Sequence, residues 1–154
     1  MGKIKKFKLH WADAWGIIQD GYDSTIEITE DGNTIIQVLV NMEPFSINLG
    51  DREDEFIQAI KNTEIEKLNG YFYDYEYMFD GDEWSLDIIA DGLDVYTSGH
   101  CIFPYEFEGF LEYLHKEWHL PICKEAKQYY HKRLDTYDRT GKREKLEEDW
   151  RMYN

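Results

Sequence analysis

Apolar and polar side chains alternate along several short stretches in the first half of the chain, as they do in strands with one buried face. Phe7, Leu9 and Trp11 alternate with lysine and histidine neighbours. Further on, an alternating stretch at residues 26–29 leads through an Asp-Gly pair into the apolar run 34–40. Asp-Gly between two such runs is typical of a β-hairpin. The pattern therefore predicts one strand followed by a hairpin.

A short helix is predicted after this hairpin. Asp51 follows Gly50 and belongs to the residue types that cap helix N-termini. A helix that begins there would place Phe56 and Ile60 on one face, four residues apart. We therefore expect Asp51 to cap the helix and the two apolar side chains to face the core.

Alternation returns after residue 70, where tyrosine occupies every second position: Tyr71, Tyr73, Tyr75 and Tyr77. An acidic turn at residues 80–82 leads into a strand with Trp84, Leu86 and Ile88 on one side. The Asp-Gly pair at residues 91–92 predicts another turn, into a strand near residues 95–98. These stretches predict a second group of strands connected by hairpins.

Helical spacing begins after residue 103. Pro104 suits the first position of a helix, and the acids in the first turn and bases in the last turn favour the helix dipole. Apolar side chains form one stripe of this helix at Phe107, Phe110, Leu111, Leu114 and Trp118. Pro121 predicts the start of another helix, and a last helical stretch is expected from Lys142 to about Trp150.

Strand pairs followed by helices predict an α+β fold: an antiparallel β-sheet of hairpins packed against helices, with a helical C-terminal third. The length of 154 residues suits a single domain, 1–154. It would contain an acidic sheet-plus-helix body, 1–119, and a basic helical segment, 120–154. Residues 26–35 and 86–95 align weakly, so the body consists either of two β-hairpin–helix units or of two hairpins that are alike by chance.

A resemblance covers residues 80–104. The segment from Asp80 to Ile88, followed by Asp-Gly at 91–92, Ser-Gly at 98–99 and Pro104, resembles small uncharacterised acidic proteins of bacteria and their phages. The resemblance implies a strand–strand–helix unit. It implies no activity.

Charge is unevenly distributed along the chain. Residues 1–10 carry a net +4, residues 11–119 carry −21 and residues 120–154 carry +2, which gives −15 for the whole chain. Residues 68–115 contain 11 acids and no lysine or arginine. Ordinary protein surfaces mix both signs. The acidic middle of the chain is therefore a candidate binding surface.

Composition excludes several classes of protein. A content of 42% hydrophobic and 16% aromatic residues is too high for a disordered acidic chain. The net charge argues against direct binding to nucleic acid or to membranes, which attract lysine and arginine. No apolar run approaches the roughly 20 residues of a membrane span. Two cysteines are too few for a disulfide framework, and we expect a cytoplasmic protein.

Two patterns in the sequence are compatible with metal binding. His115 and His119 are four residues apart on the predicted helix and could chelate zinc with Cys123, but Pro121 interrupts the helical spacing to the cysteine. Histidines favoured at a helix C-terminus explain the same pattern. The acids of the two predicted turns could hold Ca²⁺ or Mg²⁺, but they lack the spacing of a calcium loop. We predict no metal and no cofactor.

Catalytic motifs are absent from the sequence. There is no Gly-x-Ser-x-Gly elbow, no Gly-rich phosphate loop and no His-Glu-x-x-His. His100 and Cys101 are neighbours, and on a strand they would point to opposite faces. Paired carboxylates for glycoside hydrolysis stay open as an alternative, because their separation depends on the fold. We predict that the chain is not an enzyme and assign no catalytic residues.

The tyrosine row has two interpretations. Aromatic side chains suit half-buried strands, so the tyrosines would pack under the helix that begins near Pro104. Alternatively they form an exposed platform, since binding surfaces are enriched in tyrosine and tryptophan. Together with the carboxylates, such a platform would bind a sugar or a protein.

The leading hypothesis is a non-catalytic acidic protein that binds a basic protein. Rows of carboxylates on strands can stand in for the phosphates of a nucleic acid, so the expected partner is a nucleic-acid-binding protein that is inhibited, as by an anti-defence or immunity factor. The predicted contact residues are Asp74, Glu76, Asp80, Asp82, Glu83, Asp87, Asp91 and Asp94. The alternatives are a sugar-binding or glycoside-processing domain and a structural domain that forms a homodimer.

Overall fold

The structure is a computed structural model that describes residues 2–12, 21–74, 83–100, 103–121 and 142–145. The strands are β1 Ile4–Ala12, β2 Tyr22–Ile28, β3 Thr34–Val40, β4 Glu43–Asn48, β5 Tyr71–Asp74, β6 Glu83–Ala90, β7 Leu93–His100 and β8 Lys142–Lys145. The helices are α1 Glu53–Asn62 and α2 Tyr105–Trp118, and a short 3₁₀ helix spans Ile65–Leu68. The predicted α+β class is confirmed.

The strands form one open sheet in the order β4-β3-β2-β1-β6-β7-β5-β8. β1 lies near the centre of the sheet and pairs antiparallel with β2 on one side and β6 on the other. All pairs are antiparallel except β5 with β7, which is parallel. The two predicted hairpins, β2–β3 and β6–β7, therefore flank the first strand of the chain.

Both Asp-Gly pairs form the predicted hairpin turns. Gly32 has φ +78° and Gly92 has φ +73°, a left-handed conformation that glycine adopts without steric cost. The two hairpins continue differently, because β6–β7 leads to α2 whereas β2–β3 is followed by β4 before α1 begins. The first hairpin thus carries an additional strand that the weak sequence repeat did not indicate.

One face of the sheet packs against α1 and α2. The predicted inward residues of β1 and β6 are buried and lie side by side, with Trp11 opposite Trp84. The Trp84 ring stacks on Phe107 of α2 at 4.1 Å between centroids, and Trp11 stacks on Phe103 at 4.6 Å. Phe107, Phe110, Leu111 and Leu114 of α2 are buried, which confirms the predicted apolar stripe. Aromatic stacking and apolar burial thus hold the sheet to the helices.

The opposite face of the central strands is polar. Lys6, Lys8 and His10 of β1 alternate with the core residues and project from this face. Ile4 and Phe7 are both buried, because a register shift between Ile4 and Lys6 accommodates one additional residue in β1. The basic N-terminal segment is therefore part of the sheet and lies beside acidic strands.

Three local predictions about the helices are wrong. Pro104 is the N-cap residue of α2 and not its first helical residue, which is Tyr105. Asp51 does not cap α1, because the N-cap residue is Arg52 and no side chain makes the capping hydrogen bond. Lys142–Lys145 is a strand and not the start of a helix. Its pairing with β5 supplies backbone partners that override the helical preference of its residues. The predicted helix that follows Pro121 lies outside the described residues.

The neighbour of the tyrosine strand also differs from the expected one. We expected β5 to form a hairpin with β6 through the turn at residues 80–82, which lies outside the described residues. In the structure β6 lies between β1 and β7, so both of its edges are occupied. β5 consequently joins the sheet beside β7, in parallel. The long-range pairing of β6 with β1 thus decides the position of β5. The local alternation of residues does not indicate this pairing.

Candidate functional site

The predicted contact residues are distributed over several places. Glu83 is exposed at the start of β6, whereas Asp91 and Asp94 are exposed at the opposite end, beside the β6–β7 turn. Asp74 is the last residue of β5. Glu76, Asp80 and Asp82 lie outside the described residues. The described members thus do not form one continuous row.

Asp87 differs from the others because it is buried, with 5% of its surface exposed. It lies on the polar face of β6 and forms an ion pair with Lys6 of β1. A carboxylate paired in this way is partly neutralised and contributes less to a surface that attracts cations. The charge of Asp87 is therefore compensated within the sheet, by Lys6 of the neighbouring strand.

The exposed acids near the β6–β7 turn meet the start of β1. The backbone amide of Asp91 donates to the carbonyl oxygen of Lys3 at 2.9 Å. The ammonium of Lys3 in turn donates to both carboxylate oxygens of Asp54 in α1, at 2.6 Å. These contacts bring together Asp91 and Asp54, which are far apart in the sequence.

A buried carboxylate fixes this junction. Glu53, the first residue of α1, accepts a hydrogen bond from the backbone amide of Lys3 at 2.5 Å and another from the hydroxyl of Thr34 at 2.6 Å. It links β1, β3 and α1, and the first turn of a helix favours its negative charge. Lys3, Glu53 and Asp54 line an open depression with Gly50 and Asp51.

The 3₁₀ helix extends the acidic region to the start of β7. The side-chain amide of Asn69 donates to the carbonyl oxygen of Asp94 at 2.6 Å, and the amide of Tyr96 donates to Asn69 Oδ1 at 2.8 Å. Glu66 lies beside the backbone amide of Asp94, at 3.5 Å. Glu64 accepts from the ammonium of Lys67 at 2.8 Å. Asn69 therefore fixes the acids of the 3₁₀ helix against β7.

We define the carboxylate rim as the six exposed acids that these contacts bring to one end of the sheet: Asp51, Asp54, Glu64, Glu66, Asp91 and Asp94. Three lysines lie among them, namely Lys3, Lys61 and Lys67. The hydrogen bond to Asp54 is the largest cause that raises the pKa of Lys3 above 10.5, and the charges of Asp91 and Glu53 act in the same direction. Acids outnumber cations in the rim, which gives it a negative potential.

Four residues of the rim are absent from the predicted contact set: Asp51, Asp54, Glu64 and Glu66. A sequence signal existed for Asp54, since Glu53, Asp54 and Glu55 form an acidic run before the apolar positions of α1. The position of Glu64 and Glu66 depends on Asn69 and β7, which are up to about 30 residues away along the chain. Sequence alone did not place them beside Asp94.

The tyrosine row is only partly described. Tyr71 is half-buried and packs against the hydrophobic core, which agrees with the core interpretation for this residue. For Tyr73 the structure describes the backbone alone, in β5. Tyr75 and Tyr77 lie outside the described residues. Tyr71 therefore does not support the interpretation of the tyrosines as an exposed platform.

The two histidines at the end of α2 are held by the helix terminus. His119 follows the last helical residue with φ +62°, and the amide of Leu120 donates to the carbonyl oxygen of Leu114. His115 Nδ1 lies 2.9 Å from the carbonyl oxygen of Leu120. Cys123 lies outside the described residues. Among the residues that the structure describes, no three metal-ligating side chains come together.

Comparison with known proteins identifies no relative: no family model matches the sequence, and neither a curated protein nor a solved structure matches it. Within the described ranges, no helix is long and apolar enough to cross a membrane. The fold and the carboxylate rim therefore carry the functional argument.

Proposed function

We propose that the protein is a non-catalytic binding protein whose carboxylate rim engages a basic surface of a partner protein. The observation that carries the proposal is the convergence of β1, the 3₁₀ helix, α1 and the β6–β7 turn on six exposed acids. Carboxylates in such an arrangement can occupy the positions of phosphates on a nucleic-acid-binding protein, so the partner is of that class and the chain inhibits it. This is the chemistry of an anti-defence or immunity factor.

The charge balance supports this function. An acidic surface accelerates association with a positively charged partner and makes the affinity fall as salt rises. Lys3 and Lys67 are each paired with one acid of the rim, and the rim retains an excess of carboxylates. The residue types are those expected for electrostatic recognition of lysine and arginine.

Affinity capture from the host tests the proposal. Immobilised wild-type chain is compared with a rim variant that carries Asp91→Asn, Asp94→Asn and Glu66→Gln. The control variant carries Glu27→Gln, Glu30→Gln and Glu43→Gln, three exposed acids at or beside β2 and β4. We expect a basic protein that the wild type and the control retain and that the rim variant loses, as measured by quantitative mass spectrometry.

Two further measurements define the mechanism. Binding of the captured protein should weaken at least about tenfold between low and high salt, and added chain should displace it from nucleic acid. Capture that is equal for the rim and control variants, or affinity that does not change with salt, would contradict the proposal.

A further inference from the structure

The edge of the sheet next to β5 is occupied by a segment from the far end of the chain. β8 is four residues long and pairs antiparallel with β5, with Lys142 opposite Asp74 and Lys145 opposite Tyr71. Residues 122–141 separate β8 from the end of the described helical region. Without β8, β5 would be the edge strand of the sheet, and it accepts this additional strand from a distant segment.

The charges of the two strands are complementary in sequence. Three of the four residues of β8 are cationic, namely Lys142, Arg143 and Lys145. β5 ends in Asp74, and residues 74–83 contain five acids and no lysine or arginine. The register places Lys142 directly opposite Asp74. The sequence therefore places residues of opposite charge at this paired position of the two strands.

The residues of β8 have little preference for a strand. Lysine and glutamate are depleted in strands, and the same four residues predict a helix. Their strand conformation therefore comes from the backbone groups of β5, which would otherwise lack partners on that side. The edge of β5 therefore holds an extended segment in spite of its local preference, and in this chain that segment is basic.

The same edge leads to the carboxylate rim. β5 begins directly after Gly70 and two residues after Asn69, and the amide of Gly70 donates to the carbonyl oxygen of Tyr96 at 2.8 Å. Asn69 contacts Asp94 of the rim. A strand that lies antiparallel on β5 therefore runs towards the rim with its C-terminal end. The edge of β5 and the carboxylate rim are therefore neighbours at the Tyr71 end of the strand.

We propose that the edge of β5 is a docking site for a basic, extended segment of the partner protein, and that β8 occupies this site in the free chain. The basic character of the partner rests on the function proposed above. Recognition is by strand addition, in which backbone hydrogen bonds provide affinity and side-chain charge provides selectivity. Partner binding displaces β8.

A peptide with the sequence of residues 139–146, acetylated and amidated, tests the docking site in the full-length chain. The test variant carries Arg143→Pro and Glu144→Pro. Successive amides of a strand point to opposite sides, so one of these two prolines removes a hydrogen bond to β5. We expect the peptide to bind the variant at least about tenfold more tightly than the wild type, because β8 competes with it within the wild-type chain.

Three controls make the outcome decisive. A peptide of the same composition in scrambled order should bind at least about tenfold more weakly, and circular dichroism should show that the variant is folded. Equal affinity for wild type and variant, or equal binding of the scrambled peptide, would overturn the docking site. A wild-type dimer that dissociates in the variant would also overturn it, because β8 would then be exchanged between copies.

A further experiment distinguishes failure of the proposed function from failure of the docking site. The rim substitutions at Asp91, Asp94 and Glu66 are combined with the two prolines of β8, and the peptide titration is repeated. If the peptide still binds, but affinity capture finds no basic protein that the rim variant loses, the proposed function is wrong and the docking site stands. If the rim variant loses the partner, but the peptide does not bind at β5, the proposed function stands and the docking site is wrong.

Discussion

Single residues decide how the indole rings of the core are accommodated. Gly99 of β7 lies directly opposite Trp84 of β6, on the face that packs against α2. A Cβ at residue 99 would lie 2.6 Å from Cε2 and 2.7 Å from Cζ2 of the indole. Trp84 is buried and stacks on Phe107, so the ring has little freedom to move away. Glycine at this position is a packing requirement.

We predict that Gly99→Ala lowers the free energy of unfolding by about 1–3 kcal/mol, because the added methyl group overpacks the interface between β7 and the indole. Urea unfolding followed by tryptophan fluorescence measures the change. Gly109→Ala is the matched control: Gly109 lies within α2, has open space where its Cβ would stand, and should gain about 1 kcal/mol from helix propensity. Two alanines with equal effects would contradict the prediction.

At the scale of elements, α1 and α2 meet at a junction where the buried ring of Phe56 contacts Tyr113 and Trp118 and where Arg52 lies on the exposed side. The guanidinium of Arg52 lies 4.2 Å from the centroid of the Trp118 ring and donates to both oxygens of Glu55, at 2.9 and 2.8 Å. The indole N–H of Trp118 donates to the hydroxyl of Tyr113 at 2.9 Å. Arginine is an unfavourable residue at a helix N-cap, and these contacts compensate for its position.

This junction makes stability depend on pH. The hydrogen bond from Arg52 lowers the pKa of Glu55 below its ordinary value of 4.5. A lowered pKa in the folded state stabilises the protein above pH 4.5, and this contribution is lost as the pH falls through the lowered value. We predict that Glu55→Gln destabilises the protein near neutral pH and that its difference from wild type vanishes in strong acid.

Urea unfolding of both proteins across this pH range checks the prediction. Glu27→Gln is the control, since Glu27 is exposed and makes no ion pair within the part of the chain that the structure describes. Glu27→Gln removes one exposed carboxylate without removing an ion pair, and it therefore corrects for the change in net charge that Glu55→Gln also makes. A Glu55→Gln difference that is constant with pH would refute the role of the charged pair.

The sequence predicted where strands and helices lie along the chain better than it predicted which strands pair in the sheet. Alternation and Asp-Gly pairs located the β2–β3 and β6–β7 hairpins, because both signals are local. The apolar stripe of α2 was likewise found from its spacing. The position of β5 beside β7 and the strand at Lys142–Lys145 were not found, because they depend on which strand edge is free in the assembled sheet.

At the scale of the whole molecule, charges that are separated along the sequence are mixed in space. The +4 segment at the N-terminus provides a central strand, where Lys6 pairs with Asp87 and Lys3 pairs with Asp54. The −21 of residues 11–119 is therefore partly balanced within the sheet. Sequence located the excess of acids and two members of the rim, Asp91 and Asp94. The remaining members required contacts between segments that are distant along the chain.

Salt should act in opposite directions on folding and on binding. The net charge of −15 destabilises the compact state through self-repulsion, and added salt screens this repulsion. We predict that sodium chloride raised from about 20 mM to about 500 mM increases Tm by a few degrees, as measured by calorimetry, while it weakens binding to a basic partner. Sucrose, which carries no charge, should stabilise folding without weakening binding. If Tm falls with added sodium chloride, the internal ion pairs outweigh the repulsion among carboxylates, and the predicted effect of salt on folding is wrong.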